Sequence, residues 1–270
     1  MAPRPSLWLN DDERRRQLGH GPAASGEETF FGFERVQTRE KSARVLRHFN
    51  SVAHVYDFMN TLLSFGIHHA WKRAAVRMLE LQPGDRVLDV CGGTGDLAIL
   101  AGRKVGPRGR VIVYDINRAM LAAGLHKVRG GPLEDRIRHV QGDAEQISFP
   151  ERSYEAAMVG FGIRNVSRMR RGFAEMHRVL KPGGRLMCLE FSRPAWPLFR
   201  GLYDMYSFYV MPLLGELIAG SRKAYTHLPE SIRMFPLPEE LADMLRQIGF
   251  SRVAYRRFTN GIAVAHLAVK

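Results

Sequence analysis

The chain has 270 residues, 45% hydrophobic and 25% charged, enough to bury a full core as one large domain or two small ones without disulfides. Its two cysteines, Cys91 and Cys188, have no CxxC spacing, which excludes a thiolate metal site or a disulfide framework and suits a reducing compartment. The formal net charge of +13 admits RNA, an anionic membrane surface or an acidic partner, but no basic run is interleaved with aromatics, so no nucleic-acid partner is expected.

Residues 1–28 are polar and rich in Gly, Pro and charge, and read as a mobile arm. Asp11, Asp12 and Glu13 argue against a transit peptide, so the expected location is cytoplasmic. Residues 29–270 read as a single domain. Its first part, 29–80, is expected to be a helical lid: from Glu40 to Leu79 the pattern is helical, broken near Ser64–Gly66, with Val45, Phe49, Val52, Val55 and Tyr56 at spacings of three or four.

Over 81–190 the rhythm alternates. RVLDVC (86–91) is a short apolar run after Pro83-Gly84-Asp85, and both cysteines fall in such strand-like runs. A helix is expected over Asp96–Lys104, a strand over 110–116, a helix over Ala119–Val128, and strands over 136–143 and 154–162. Then comes a helix over Met169–Leu180 closed by Lys181-Pro182-Gly183-Gly184, and a strand over 185–191. The basic residues from Arg164 to Arg185 read as a solvated face, with weak attraction to anionic lipid as the next reading. Alternating strands and helices imply βαβ units, hence a parallel sheet covered on both faces.

Residues 191–235 form an aromatic-rich helical insert. Its most apolar stretch, Phe199 to Ala219, is interrupted by Arg200, Asp204 and Glu216 and falls short of the roughly 18 apolar residues that span a bilayer. Over 236–270 a helix (Pro238–Ile248, with Gly249 as its C′ residue) precedes two strand-like runs joined by Thr259-Asn260-Gly261, a hairpin signal. An α/β sheet ending in an antiparallel hairpin is characteristic of class I methyltransferases. The fold expected is therefore a Rossmann-like seven-stranded sheet with that hairpin, plus N-terminal helices and the insert.

The chemistry concentrates in Val87-Leu88-Asp89-Val90-Cys91-Gly92-Gly93-Thr94-Gly95-Asp96, where glycine lets the backbone turn sharply and approach a ligand at the end of a strand. Gly93-x-Gly95-x-x-Ala98, with Asp115 twenty residues after Gly95, also fits a dinucleotide fingerprint. Three acids favour S-adenosyl-L-methionine instead, since it is a zwitterion and a sulfonium with no pyrophosphate. Asp89 can support the loop or face the methionyl amine, Asp115 can bind ribose hydroxyls under either reading, and Asp143-Ala144 can meet the adenine. Asp143 can equally be an N-cap in QGDAEQ.

Several segments resemble the ubiquinone/menaquinone biosynthesis C-methyltransferases, the UbiE/COQ5 group. They include FNSVAHVYDFMN (49–60), LSFGIHHAWK (63–72), VLDVCGGTGDLA (87–98), FGIRNV (161–166), RVLKPGGRLMCLEFSRP (178–194) and the ESIRMFP stretch that ends at 236. The glycine loop and the KPGG turn recur in many methyltransferases, whereas FGIRN, YDFMN and ESIR are specific to this group. The resemblance runs from about residue 30 to the end. It implies methyl transfer from S-adenosyl-L-methionine, without a metal, to a ring carbon of a polyprenylated benzoquinol, of demethylmenaquinol, or of both. It further implies that Gly92, Gly93, Thr94, Gly95, Asp115, Asp143 and Ala144 lie at the cofactor. Gly160 departs from the pattern, because many bacterial members carry Ser there, and a side-chain contact is lost or replaced.

Arg164 and Asn165 are expected to hold the quinol oxygens. An arginine is too weak an acid to serve as a free base, so Arg164 is read as stabilising phenolate charge or orienting a water, with a loop salt bridge as the plainer reading. Tyr56 either closes over the substrate or packs in the core. His68 and His69 read as capping or packing residues, Trp71 as core and His177 as surface. The insert reads as a packed cap, as an apolar wall for a polyprenyl tail touching the cytoplasmic face of the inner membrane, or as both. Another acceptor such as RNA, a non-catalytic role in a quinone-biosynthesis complex, and homodimer formation stay open.

Overall fold

Parallel strands covered on both faces must be apolar throughout, and the central segments here meet that demand. The structure, a computed structural model, describes residues 28–270, so the arm expected over 1–28 lies, but for Glu28, outside the described residues. Strands β3 (Arg86–Val90), β4 (Arg110–Asp115), β5 (Ile137–Gln141), β6 (Tyr154–Gly160), β7 (Leu180–Phe191), β8 (Arg252–Phe258) and β9 (Ala263–Val269) form one sheet in the order β5-β4-β3-β6-β7-β9-β8. The first five are parallel, while β9 is antiparallel to both β7 and β8. This is the expected class I arrangement. The strand order reverses between β3 and β4 on one side and β6 on the other, which opens a crevice at the tip of β3.

Helices α3 (Ile67–Met78), α4 (Asp96–Val105) and α5 (Arg118–Val128) cover one face, where Trp71, Ala75, Ala98, Ala101 and Leu121 pack on Val87, Val111 and Val113. Helices α6 (Met169–Val179) and α10 (Pro238–Ile248) cover the other with Phe173, Met176, Leu241 and Leu245 against Leu88, Val90 and Leu186. Trp71 is core, and its indole Nε1 donates to Thr259 Oγ1 at 2.9 Å. His177 is half-buried rather than on the surface, its ring edge-on to Phe250 at 4.8 Å.

Four local expectations change. The expected helical lid over 29–80 opens instead, together with Glu28 of the expected arm, on a ribbon of β1 (Glu28–Phe31) and β2 (Glu34–Gln37). Its turn is at Gly32, whose φ of +61° strains any residue with a side chain, and a Cβ there would also displace the Glu230 carboxyl 2.1 Å away. The helical stretch that follows breaks at 53–55 as well as at Phe65–Gly66, giving α1 (Thr38–Val52), α2 (Tyr56–Leu63) and α3. The KPGG turn does close α6, but its four residues bulge within β7: Leu180 pairs with Tyr154 and the next pair is Arg185 with Ala156. Cys188 is strand core, whereas β3 ends at Val90 and Cys91 begins the turn at φ +53°.

The insert comprises α7 (Pro197–Met205), a π-helical turn over Tyr206–Val210, α8 (Met211–Ala219) and α9 (Arg222–Arg233). Buried Arg233 ties its ends together. Its guanidinium pairs with Asp204, donates to Ser207 Oγ at 2.8 Å and lies over the Phe208 ring at 4.2 Å. Val52, Met59 and Leu63 of α1 and α2 pack against Met211 and Tyr225, so the N-terminal helices and the insert share a small core above the sheet. No helix among the described residues is long and apolar enough to cross a membrane.

Candidate active site

The β3 strand delivers Asp89 to the crevice, and the chain then turns through Cys91, Gly92 and Gly93. A Cβ on Gly92 would lie 2.8 Å from Val113 Cγ1 and 2.9 Å from the Asp89 carbonyl, so only bare backbone can lie against the sheet there. Gly93 N–H donates to Asp115 Oδ2 at 2.9 Å, and Asn117 N–H donates to Asp115 Oδ1 at 2.7 Å. Asp89 Oδ2 accepts from Ala98 N–H at 3.1 Å, while Asp89 Oδ1 is buried with no partner. Burial pushes the Asp89 carboxyl well above its ordinary range and raises Asp115 too. Asp143 Oδ1 accepts from Glu145 N–H at 2.8 Å, so it does cap a short turn, beside buried Ala144.

These groups line one end of a cavity of about 600 Å³. Asp89, Gly92, Gly93, Thr94, Asp115, Asp143, Ala144 and Gly160 all face it, whereas Gly95 does not and serves to start α4 in a left-handed turn at φ +77°. Arg164, Asn165 and Tyr56 line it further along, and side chains from α1, α3, α7 and α9 complete an apolar wall. Tyr56 meets Phe49 edge-on at 5.9 Å, and burial raises its phenol above the ordinary value. A Cβ on Gly160 would lie 2.6 Å from Leu97 Cδ1, so this chain's leucine occupies the room that a serine side chain needs.

The plainer reading of Arg164, a salt bridge, is present, and the side chain keeps a place at the cavity. Its ion-pair partner is buried Glu190, from Nη1 to Oε2 at 3.0 Å. The Arg164 Nε donates to Ser231 Oγ at 3.4 Å, and Nη1 also donates to the Phe161 carbonyl. Burial raises the Glu190 carboxyl and the neighbouring guanidinium opposes it. Such a pair fixes a positive charge in a low-dielectric wall, where it acts strongly on any nearby oxyanion.

The residues fit an adenosyl-sulfonium ligand on an observation of their own. The orphaned Asp89 oxygen is a buried acceptor without a donor, on a residue that lines the cavity together with Gly92 and Gly93. Among the described residues, no cluster of three or more His, Cys, Asp or Glu could hold a metal ion.

Residues 37–270 match the family model described as the ubiE/COQ5 methyltransferase family. The chain belongs to that family. The chain is 44% identical over 242 residues to the ubiquinone/menaquinone biosynthesis C-methyltransferase UbiE of Stutzerimonas stutzeri (strain A1501), covering 90% of this chain and 94% of the relative. It is also 44% identical to that of Legionella pneumophila (strain Lens), at 90% and 97% coverage. Among solved structures it resembles a SAM dependent methyltransferase from Aquifex aeolicus, with TM-score 0.51, 18% identity, and 73% and 88% of the two chains covered. The [4+2]-cyclase SpnF gives TM-score 0.61, 16% identity, and 84% and 94% coverage. These structural likenesses speak for the fold alone. This ubiE/COQ5 family member is an S-adenosylmethionine-dependent C-methyltransferase.

In this methyltransferase several site residues carry no sequence signal of their own. The Thr94 hydroxyl donates to Asp57 Oδ1 at 2.7 Å and accepts from Lys127 Nζ at 3.0 Å. Lys127 also reaches Asp96 Oδ1 at 2.7 Å, and Lys72 reaches Asp96 Oδ2 at 2.7 Å. Burial alone would raise the Asp96 carboxyl, but the two lysines hold it far below its ordinary range. Asp57 lies in YDFMN, Lys72 in LSFGIHHAWK and Asp96 at the end of the glycine loop, whereas Lys41 and Lys127 belong to no motif. Buried Lys41 donates to the Val166 carbonyl at 3.2 Å and to the Arg164 carbonyl at 3.4 Å, clamping the IRN turn, and burial lowers its amine to about 8. His68 shares a 2.6 Å hydrogen bond with Ser64 at the opposite wall.

Proposed function

We propose that this methyltransferase moves a methyl group from S-adenosyl-L-methionine to a ring carbon of a polyprenylated quinol. The substrate is 2-methoxy-6-polyprenyl-1,4-benzoquinol, demethylmenaquinol, or both. The observation that carries this reading is one cavity lined both by the acids and glycines at the strand ends and by apolar side chains of the helices, with Arg164, ion-paired to Glu190, on its wall.

At the first end Asp89 receives the methionyl amine on its free oxygen, Asp115 receives ribose hydroxyls, Asp143 and Ala144 meet the adenine, and Gly92, Gly93, Thr94 and the Gly160 backbone line the path. When bound, the cofactor supplies an electrophilic methyl group on a sulfonium. Carbon is a weak nucleophile in an aromatic ring until a ring oxygen carries negative charge. Arg164 stabilises that charge, Asn165 orients the ring and Tyr56 closes over it, so that much of the rate comes from alignment.

The apolar end accommodates the tail. Trp196, Leu198, Tyr209 and Leu217 of the insert are strongly exposed, and Phe65 across the cavity mouth is 84% exposed. Exposed apolar groups on the insert, which also contributes Phe199, Leu202 and Tyr206 to the cavity wall, support peripheral contact with the cytoplasmic face of the membrane. Quinone profiling of a strain lacking the gene tests the substrate: accumulation of a ring-demethylated quinone is expected, and a normal quinone pool would reject it. Calorimetry with S-adenosylhomocysteine tests the cofactor end separately.

A further inference from the structure

Methylation of a quinol ring replaces a hydrogen by a methyl group, turns the sulfonium into a thioether and releases one proton. Some group near Arg164 must take a proton from the ring hydroxyl while the oxygen keeps the electron pair, and the acidic side chains lining the cavity are committed elsewhere. Asp115 and Asp143 accept from backbone N–H groups. Asp96 sits between Lys72 and Lys127, and Glu145 holds Arg168 at 2.7 Å. Asp89 is at the cofactor end, and Arg164 itself stays protonated.

Of the three imidazoles that line the cavity, His68 is hydrogen-bonded to Ser64, and His48 and His227 remain beside Arg164. His227 lies on α9 one helical turn before Ser231, whose hydroxyl touches Arg164. It also borders the small adjoining pocket formed with Lys41, Arg164 and Asn165. Its ring is stacked on Phe31 at 3.9 Å, and His48 from α1 meets it edge-on at 5.2 Å. The ring is therefore held in place, yet its Nδ1 is buried with no partner. A buried, fixed and unsatisfied imidazole beside a guanidinium is an arrangement for receiving a ligand's hydrogen.

Resting on the quinol reading above, we infer that His227 accepts the ring-hydroxyl proton of the bound quinol, with His48 holding its ring in place. The O–H bond breaks, an N–H bond forms on the imidazole, and the electron pair stays on the oxygen, where Arg164 stabilises it. After methyl transfer the imidazolium returns its proton to the ring oxygen as the ring C–H proton leaves to solvent, which restores the aromatic ring and closes the proton balance. Burial first, then the neighbouring His48 and the charges of Arg164 and Lys41, keep the imidazole of His227 neutral in the ligand-free protein. A phenolate oxygen beside the ring acts in the opposite direction and favours the imidazolium.

The test uses the full chain, S-adenosyl-L-methionine and a short-tailed demethylated benzoquinol in detergent. His227→Gln is expected to lower kcat by about 100-fold or more, within the range usual for general-base catalysis. S-adenosylhomocysteine affinity by calorimetry should stay within about twofold, and kcat should now climb with pH as solvent base substitutes. In His227→Ala, free imidazole should restore part of the rate. A His227→Gln protein that keeps more than about a third of kcat would overturn the inference, given the size expected of a general base. So would an equal loss at every pH without imidazole rescue, or loss of S-adenosylhomocysteine binding, because each makes the residue structural. If the unaltered protein fails to methylate the quinol, the substrate reading has failed instead.

Discussion

Lys127 on α5 reaches Asp57 on α2 at 2.5 Å, and with Thr94 and Asp96 it ties the N-terminal helices to the glycine loop. The fold of the sheet does not need this contact, but the shape of the cavity does. Lys127→Ala should leave thermal stability within about 1 kcal/mol, because the ion pairs are partly exposed and Lys72 still holds Asp96. S-adenosylhomocysteine affinity should fall by roughly three- to tenfold, the size of one charge-assisted contact. Amide exchange over 56–63 should quicken, and unchanged exchange there would mean that the helices are held by their apolar packing alone.

Asp89 and Asp115 carry carboxyls that burial has raised, so the ligand-free protein holds their protons at pH values where the unfolded chain has lost them. For a group whose pKa is raised on folding, its contribution is fully present below the unfolded value and is lost as pH climbs through the folded one. The contribution of these two carboxyls should therefore fall as pH rises from about 4, the unfolded carboxylate range, so Asp89→Asn should flatten that part of the ligand-free stability profile, and the stabilisation conferred by S-adenosylhomocysteine should grow over the same interval. Thermal melts with and without the ligand across that interval measure both trends, and a ligand effect independent of pH would count against an ionised Asp89 at the amine.

Removing Arg164 strands Glu190 in the core. Arg164→Ala should cost about 3–5 kcal/mol, as breaking one half of a buried pair does, and should abolish most turnover. Arg164→Met with Glu190→Gln should recover much of the stability and none of the turnover. Denaturant unfolding and single-turnover assays on the same proteins separate the two effects, and recovered turnover in the double variant would remove Arg164 from the chemistry.

Gly160→Ser would introduce the side chain that the family resemblance led us to expect, but Leu97 Cδ1 occupies the space. Overpacking of this kind should cost about 1–3 kcal/mol, and Leu97→Val in the same chain should relieve part of it. Melting temperatures of the two single variants and the double variant check whether the positions are coupled; additive changes would show that they are not.

The local pattern carried a long way. Buried parallel strands must be apolar along their whole length, so RVLDV, RVIVYD and YEAAMVG announced themselves, and the glycines after β3 marked the one place where backbone must approach a ligand. Asp89, Asp115 and Asp143 were legible because each stands at a strand end, and strand ends in such sheets converge on one edge. FGIRN and YDFMN added Arg164 and Tyr56 through resemblance. The ribbon at 28–37 stayed hidden because its turn depends on Gly32 lying against Glu230, nearly two hundred residues away. The bulge at KPGG was equally hidden, since it exists only relative to the pairing partner of β7.

The amino-acid sequence by itself thus settled the alternation of strands and helices, the glycine bend and the acids around it, because all of these follow from short-range periodicity and backbone sterics. Tertiary structure alone decided that Arg164 is sealed against Glu190, that Lys127 bridges three elements, and that His48 and His227 face the same cavity. Those relationships join residues 26 to 179 positions apart, and only packing brings such charges and rings within a few ångströms.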